Sequence, residues 1–560
     1  MSARASRLAI LAIILLAFAL RAGTLLSQSL WRDEVDALLF ATRPLPQLLD
    51  MFRLPGQNGP LYFLLLRPWL AVAGHSEFSL RLPAALAGTL AVPITYLILR
   101  RLTARPSITL LAALLLATAP YATWYGGEAK MYGLLTALVP ASLLAVTAIA
   151  RPRRAGHAAP WVALYVLTSL ALYTHFVAAL IIPVQVIWLL LLPWERPTPA
   201  RFWRKSAAVA IYGAALLLPY APFLRWMPAV WLSTYETGHP FVPFGDMVEI
   251  LAGGFSRGVL GAPPLTLAPY MVALAAGLIA WPLVSGGRRD EAAQPKASGQ
   301  GGPSGDDGPA SFDSAALRSG CPDSAALRSG CADAAALRSG CPDSAVLRSG
   351  GLSERCSALI MLLLGVWLVL PVLLLYGVSL GVPVFTDRYL IWTLPAYLGL
   401  LACGIIALSR VARPLGLLVA VIIVALNLWS CAYTQVREPI KADFRGAARH
   451  VVEQFQPGDA LLYQIPYNRY TFTYYASGRL DPEDGAWAGV DGPYTNGGMS
   501  EADVDAYLAS RLGTARTIWF IASEVPMWDD RGLAQGWLDA NARAADRASF
   551  ARVDVTRYER

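Results

Sequence analysis

Eleven apolar runs, most of them about 20 residues long, constrain this 560-residue chain more than any other feature. A helix needs about 20 apolar residues to cross a hydrocarbon core. Within that core a single segment satisfies its own backbone only as a helix. The runs fall at about 8–26, 80–99, 107–125, 131–150, 160–173, 176–193, 206–226, 264–284, 357–379, 389–408 and 414–432. Composition agrees: 56% of residues are hydrophobic and 15% charged, against roughly a quarter charged in soluble domains. The expected fold is a polytopic α-helical membrane protein with about 11 spans. Run 8–26 has no small-residue cleavage site before the next polar stretch, which predicts an anchor and not a removed signal peptide.

The basic residues set the orientation. Arg4 and Arg7 precede the first run. Further clusters follow at Arg100, Arg101 and Arg105, at Arg151, Arg153 and Arg154, at Arg196, Arg201, Arg204 and Lys205, and at Arg410 and Arg413. Cytoplasmic loops carry the excess of Lys and Arg. All clusters lie on one side only if 60–73, which contains Arg67-Pro68, is an interfacial helix inside one long outer loop, 27–79. The N terminus is then cytoplasmic and the C-terminal segment faces outward. The net charge of +8 is thereby read as orientation and not as nucleic-acid binding. The six cysteines (321, 331, 341, 356, 403 and 431) show neither metal-ligand spacing nor a disulfide framework.

Four regions are expected: an N-terminal membrane catalytic module (1–284), a cytoplasmic insert (285–356), the last spans (357–432) and an extracytoplasmic α/β domain (433–560). The insert repeats Asp-Ser-Ala-Ala-Leu-Arg-Ser-Gly-Cys-Pro with small changes from Asp313, Asp323, Asp333 and Asp343. One Leu per copy cannot bury a core, so disorder is expected. In the last region, helices are expected over Lys441 to Phe455 and Leu533 to Ala545. Strands are expected at Asp459 to Tyr463, Thr517 to Ala522 and Ala551 to Val555. No Gly-rich phosphate fingerprint accompanies them.

The outer loops collect the polar residues that carry chemistry. Trp31-Arg32-Asp33-Glu34, followed by Asp36, stands just beyond the first run. Carboxylates at a membrane surface are costly unless used. Desolvation and a neighbouring charge tune such an acid toward base strength. Asp33 and Glu34 are the catalytic candidates. The competing reading makes Asp33 a cap for the helix that follows. Glu128 and Lys130 occupy a short outer turn before Tyr132, and Arg388 stands between Asp387 and Tyr389. Lys130 and Arg388 suit a lipid phosphate; snorkelling and an Arg388–Asp387 ion pair are the structural alternatives. Further candidates are Arg21, which interrupts the first run, and His175 and His239, each isolated from other His residues in sequence. A base beside several cations suits transfer from a lipid-phosphate donor, since a departing phosphate needs charge stabilisation and not a proton.

Several stretches resemble the GT-C glycosyltransferases of the protein O-mannosyltransferase type, including the lipid A aminoarabinose transferases. They are Trp31 to Glu34, Gly59-Pro60-Leu61-Tyr62, Gly74 to Pro83, Glu128 to Tyr132, Asp387 to Leu390 and Lys441-Ala442-Asp443-Phe444-Arg445. The resemblance implies a polyprenyl-phosphate-sugar donor and an inverting single displacement at the outer face of the cell membrane. The acceptor would be a glycan, a lipid or a protein. The acid of the family's first loop maps onto Asp33. Family members more often carry Arg where this chain has Lys130. The resemblance fixes no cofactor and leaves a divalent metal open. A transporter or flippase of a lipid-linked sugar is the alternative class; it would place its polar residues at mid-bilayer and carry an inverted repeat of spans. A sensor with a ligand-binding C-terminal domain is the third.

The insert generates a first prediction. Deleting 300–350 is expected to leave membrane insertion and transferase activity nearly unchanged. Activity measured at matched protein level checks it, and a large loss would make the repeat functional.

Overall fold

The computed structural model describes residues 2–50, 58–103, 105–150, 158–192, 199–224, 240–259, 264–285, 350–437, 440–478 and 485–560. The ten-residue repeat and His239 lie outside the described residues. Every apolar run is helical. Among the described residues, six helices are long and apolar enough to cross a membrane: Ala3–Ala22, Glu77–Thr103, Tyr132–Ile149, Ala358–Ser379, Asp387–Val411 and Arg413–Gln435. A bent pair, Pro106–Thr118 and Pro120–Gly126, makes a seventh. The other runs are Ala159–Thr174, the Phe176–Leu180 turn with Ile181–Leu191, Pro199–Leu224 and Ala268–Ser285. The protein is thus a multi-pass membrane protein.

Local chemistry explains the boundaries. The first helix stops at Ala22 and not at 26, because Gly23 caps it with a hydrogen bond to Ala19 O. The bent pair turns by 55° at Pro120, whose ring nitrogen has no hydrogen to continue the ladder. The Leu61–Ala73 helix is about 20 Å long, too short for a core of about 30 Å. It buries Tyr62, Phe63, Leu66 and Leu70 and exposes Leu65 and Val72. Arg67 ties it to the Ala41 and Arg43 carbonyls at the end of the Arg32–Thr42 helix. A helix of that length with one buried face is compatible with the interfacial placement expected of 60–73.

The two membrane regions interlock. Helix Ala268–Ser285 packs against Leu394–Val411 so closely that a Cβ on Gly404 would stand 1.7 Å from Ala273 O. The division at 284 is therefore not a break in packing.

The C-terminal domain is a five-stranded sheet in the order β2-β1-β3-β5-β4. The strands are β1 (Ala460–Tyr463), β2 (Val490–Asp491), β3 (Thr517–Ala522), β4 (Arg543–Phe550) and β5 (Val553–Glu559). β2, β1 and β3 run parallel, and β5 pairs antiparallel with β3 and β4. Alternation divides the core. Leu461, Tyr463, Trp519 and Ile521 pack with Phe444 and Phe472 on one face. Leu462, Ile518 and Phe520 pack with Val504, Leu508 and Leu538 on the other. The expected helix from Leu533 ends at Asn541, and 543–550 is strand β4. Its Ala-rich sequence favours a helix, but pairing along β5 overrides that preference. Helices Asn468–Ser477 and Glu501–Leu512 were not anticipated.

The domain is fastened to one end of the long Glu77–Thr103 helix. Tyr474 Oη donates to His75 O at 2.7 Å, and Arg445 pairs with Glu77. At about 1.5 Å per residue this helix is roughly 40 Å long, enough to place its two ends on opposite sides of a bilayer. In a cysteine-free background, Ser76→Cys and Ser500→Cys are expected to react with an impermeant maleimide from one side, and Arg100→Cys from the other. Labelling of Ser76→Cys and Arg100→Cys from the same side would overturn this topology.

Candidate active site

The Arg32–Thr42 helix has Trp31, and not Asp33, at its N-cap position. Asp33 lies within the first turn, where it is not the cap that the competing sequence reading supposed. The first turn presents Asp33 and Glu34 in different directions, and their surroundings differ completely.

Glu34 has no exposed surface. Arg81 grips it bidentately, Nε to Oε1 at 2.7 Å and Nη2 to Oε2 at 2.7 Å. Lys441 Nζ donates to Oε2 at 2.9 Å, and the Ala129 N–H donates to Oε1 at 3.0 Å. Burial alone would raise this acid. Arg81 and Lys441 overcome it and hold the carboxyl down at about 2. Arg81 also donates to the carbonyls of Leu25, Gln28 and Ser29. Gln28 in turn accepts from the Ile440 and Lys441 N–H groups at 3.0 Å each. Glu34 was expected among the catalytic acids; with both oxygens engaged, its geometry is that of an anchor.

Asp33 faces the other way and is about a quarter exposed. Arg388 Nη1 donates to its Oδ2 at 3.0 Å. Burial pushes Asp33 up, but Lys130, Arg388 and Arg32 outweigh it, so the carboxyl stays below its ordinary range. Asp36, one turn on, is raised by burial despite Lys130 and Arg32. Arg388 lies over the Tyr132 ring at 5.5 Å and the Trp31 ring at 5.9 Å. Its ion pair is with Asp33, while Asp387 accepts from Tyr125 Oη at 3.0 Å. The Pro120 bend is what brings Tyr125 to Asp387. The Lys130 side chain is 8% exposed and forms no hydrogen bond or ion pair among the described residues.

Glu128 is buried, and neither oxygen has a hydrogen-bond partner among the described residues. Lys441 Nζ stands 3.9 Å away. Burial, opposed by Lys441 and reinforced by Glu34, pushes this acid up to about 7. His175 is also buried. Its Nδ1 accepts from the Val177 N–H at 3.2 Å, capping the next turn. Its ring contacts Phe176 (4.9 Å), Tyr389 (4.6 Å) and Tyr132 (6.3 Å). Burial, then Arg388 and Lys130, lower it to about 3, so it is neutral. The site thus gathers Asp33, Glu34, Glu128, Lys130, Tyr132, His175, Arg388 and Tyr389. Among the described residues no group of three His, Cys, Asp or Glu side chains could hold a metal.

Arg21 is not part of this gathering. It is enclosed in the helical core and donates to the carbonyls of Ala17 (3.0 Å), Ala117 (3.3 Å) and Leu116 (3.4 Å). Gly88 and Gly126 leave it room; a Cβ on Gly126 would stand 3.2 Å from Arg21 Nε. Arg21 joins the first helix to the Pro106–Thr118 helix. Conversely, sequence reasoning assigned no role to Arg81 or Lys441. Both stand in the stretches that carried the family resemblance, and that was their only signal. Because Arg388 and Lys441 come from beyond residue 284, the site is not confined to the N-terminal module.

Residues 57–226 match the family described as dolichyl-phosphate-mannose-protein mannosyltransferase. No curated protein matches the chain in sequence. Among solved structures, the chain is similar to ArnT from Cupriavidus metallidurans in the apo state. That likeness has a TM-score of 0.54 and 13% identity over 99% of this chain and 98% of that one. ArnT from the same organism bound to undecaprenyl phosphate gives a TM-score of 0.52 and 12% identity over the same shares. The chain shares the fold of these two structures from end to end. The family match is confined to 57–226, so it covers under a third of the chain. The matched segment contains Arg81, Glu128 and Lys130, while Asp33, Arg388 and Lys441 lie outside it.

The Glu34 network generates a prediction with a defined sign. An acid lowered from 4.5 to about 2 on folding stabilises the protein above pH 4.5, and that stability is lost as pH falls toward about 2. Glu34→Gln removes the carboxylate that Arg81 and Lys441 share in the interior, at a cost of about 3–5 kcal/mol. Thermal unfolding in detergent should show a lowered midpoint at neutral pH and a weaker acid dependence between pH 4.5 and 2. An unchanged midpoint would mean that the network holds nothing.

Proposed function

We propose that this protein transfers a sugar from a polyprenyl-phosphate-linked donor to an acceptor hydroxyl, by inverting displacement, at the membrane face that carries the C-terminal domain. That face is the outer face of the cell membrane. The observation that carries the reading is the Asp33–Arg388 pair at 3.0 Å, with the unpaired Lys130 ammonium close enough to lower Asp33. The undecaprenyl phosphate bound by a protein of the same fold supports the donor class. The sugar is a hexose or a pentose.

In this reading the acceptor oxygen attacks the anomeric carbon and its proton passes to Asp33. The bond from that carbon to the phosphate oxygen breaks, and its electron pair leaves with the phosphate. Arg388 offers a planar fork of donors and Lys130 a point charge to the developing phosphate charge. Phosphate binding also recruits Arg388 away from Asp33. An anion in that place raises the Asp33 basicity at the moment a base is needed. Glu34 acts through position: it fixes the helix turn that presents Asp33. Neutral His175, packed with Tyr389 and Tyr132, forms one wall of the site.

These roles separate kinetically. Asp33→Asn is expected to lower kcat by about 10²–10⁴-fold, the usual share of a positioned base, with little change in donor affinity. Lys130→Ala and Arg388→Ala are expected to weaken donor binding first. The measurement is release of free polyprenyl phosphate from a labelled donor by the purified protein. No release by the wild type would refute the transferase reading, and a fully active Asp33→Asn would remove the base.

A further inference from the structure

The C-terminal domain carries a second constellation that the transfer chemistry does not use. It lies at the carboxyl ends of the parallel strands. Successive connections leave β1 in opposite directions, to β2 on one side and, after β2, to β3 on the other. In open α/β sheets, crevices outside the strand ends at such a reversal are the usual ligand sites. Here the residues following β1, β2 and β3 meet at that reversal, with Trp528 Nε1 donating to Gly492 O at 3.2 Å.

The residue after β1 is Gln464. It is 1% exposed, and neither its Oε1 nor its Nε2 has a hydrogen-bond partner among the described residues. Its backbone is fixed, since its N–H donates to Ile521 O at 3.0 Å. Asn468, four residues on, is 2% exposed with an unpartnered Nδ2. A buried amide without partners costs about 1–3 kcal/mol per group, so a domain that keeps two of them near one strand end keeps them at the expense of stability. Aromatic rings stand along the same edge. Tyr467 lies 6.3 Å from Trp528, and Trp528 lies 4.6 Å from Tyr494. Tyr494 is 48% exposed. Glu524, which follows β3, takes a left-handed backbone conformation (φ 52°) unusual for its residue type.

This edge points at the transfer site. The Arg32 guanidinium stacks on the Tyr467 ring at 3.6 Å, and Arg32 immediately precedes Asp33. The Tyr467 hydroxyl lies in the field of Arg32, Glu524 and Asp33 together. The charges along this edge are met by opposite ones, Arg32 by Glu524 and Asp33 and Arg469 by Asp491, while Gln464, Asn468 and the phenols are neutral. Aromatic faces with adjacent amides fit the apolar C–H face and the hydroxyls of a sugar ring. They do not fit a phosphate, which the neighbouring Lys130 and Arg388 would take instead.

We propose that this edge, formed by Gln464, Tyr467, Asn468, Tyr494 and Trp528, is the acceptor subsite and binds a neutral, hydroxyl-rich glycan. The inference rests on the transfer reading and specifies its acceptor. A glycan seated here extends past Arg32 to present a hydroxyl to Asp33.

The test uses the full chain, purified in detergent, on an array of immobilised neutral oligosaccharides, with a peptide array in parallel. Wild type is expected to retain a defined set of glycans. Tyr494→Ala, at a half-exposed ring, should weaken retention by about tenfold, the equivalent of about 1.4 kcal/mol. Gln464→Leu supplies the readout that a structural role would not give. Removing an unpartnered buried amide should leave the thermal midpoint equal or higher, while glycan retention falls by about tenfold. Gln464→Leu with wild-type retention overturns the proposal, as does a blank glycan array or retention of peptides alone. The donor-release assay on the same preparation separates the two readings. Donor consumed without glycan binding removes only this subsite. Glycan bound without donor consumption removes only the transfer chemistry.

Discussion

A carboxylate with no exposed surface stays ionised only if the protein replaces every contact water gave it. Glu34 meets that condition through two Arg81 nitrogens, the Lys441 ammonium and the Ala129 amide. The partners come from the long Glu77–Thr103 helix, from the stretch leading into the C-terminal domain and from the turn before Tyr132. In a medium of low dielectric the charges attract strongly, but each alone would be costly. The network is therefore all or nothing. It fixes the loop of residues 25–29 through Arg81, the start of the Arg32–Thr42 helix and the turn that carries Glu128 and Lys130. Asp33 and Lys130 are neighbours because Glu34, next to Asp33, accepts from the N–H of Ala129, next to Lys130.

Three acids of similar intrinsic strength end with different behaviour inside one small volume. Glu34 is enclosed by cations and is held at about 2. Glu128 is equally enclosed but lies 3.9 Å from a Lys441 already engaged by Glu34, and rises to about 7. Asp33 is partly exposed among Arg388, Lys130 and Arg32, and remains ionised. Environment, and not residue type, sets the three acids apart.

The helical core meets a different demand. Arg21 crosses no path to the site; it spends its donors on backbone carbonyls of the Pro106–Thr118 helix near the point where that helix bends at Pro120. Carbonyls freed at a proline need donors within the bilayer. Gly88 and Gly126 make the space for the guanidinium. The bend in turn carries Tyr125 to Asp387, leaving Arg388 to Asp33. A structural cation buried among helices thus contributes to the pairing at the surface.

Hydropathy alone located the helical segments, because apolar length is a property of contiguous residues and the bilayer reads it directly. Leu61–Ala73 likewise forms a helix shorter than the spans. Strands Ala460–Tyr463 and Thr517–Ala522 were legible as apolar runs, whereas β4 was not, since only its pairing with β5 makes Arg543–Phe550 extended. At the site, the sequence supplied Asp33, Glu34, Lys130 and Arg388 as charged residues at span ends. It could not tell Glu34 from Asp33, because adjacent carboxylates differ only in what packs against them. It could not bring Lys441 to Glu34 across 407 residues, or set Arg32 against Tyr467. Local pattern decides which segments enter the membrane; only the packed chain decides which charge meets which, because electrostatic energy depends on distance and burial and not on sequence separation.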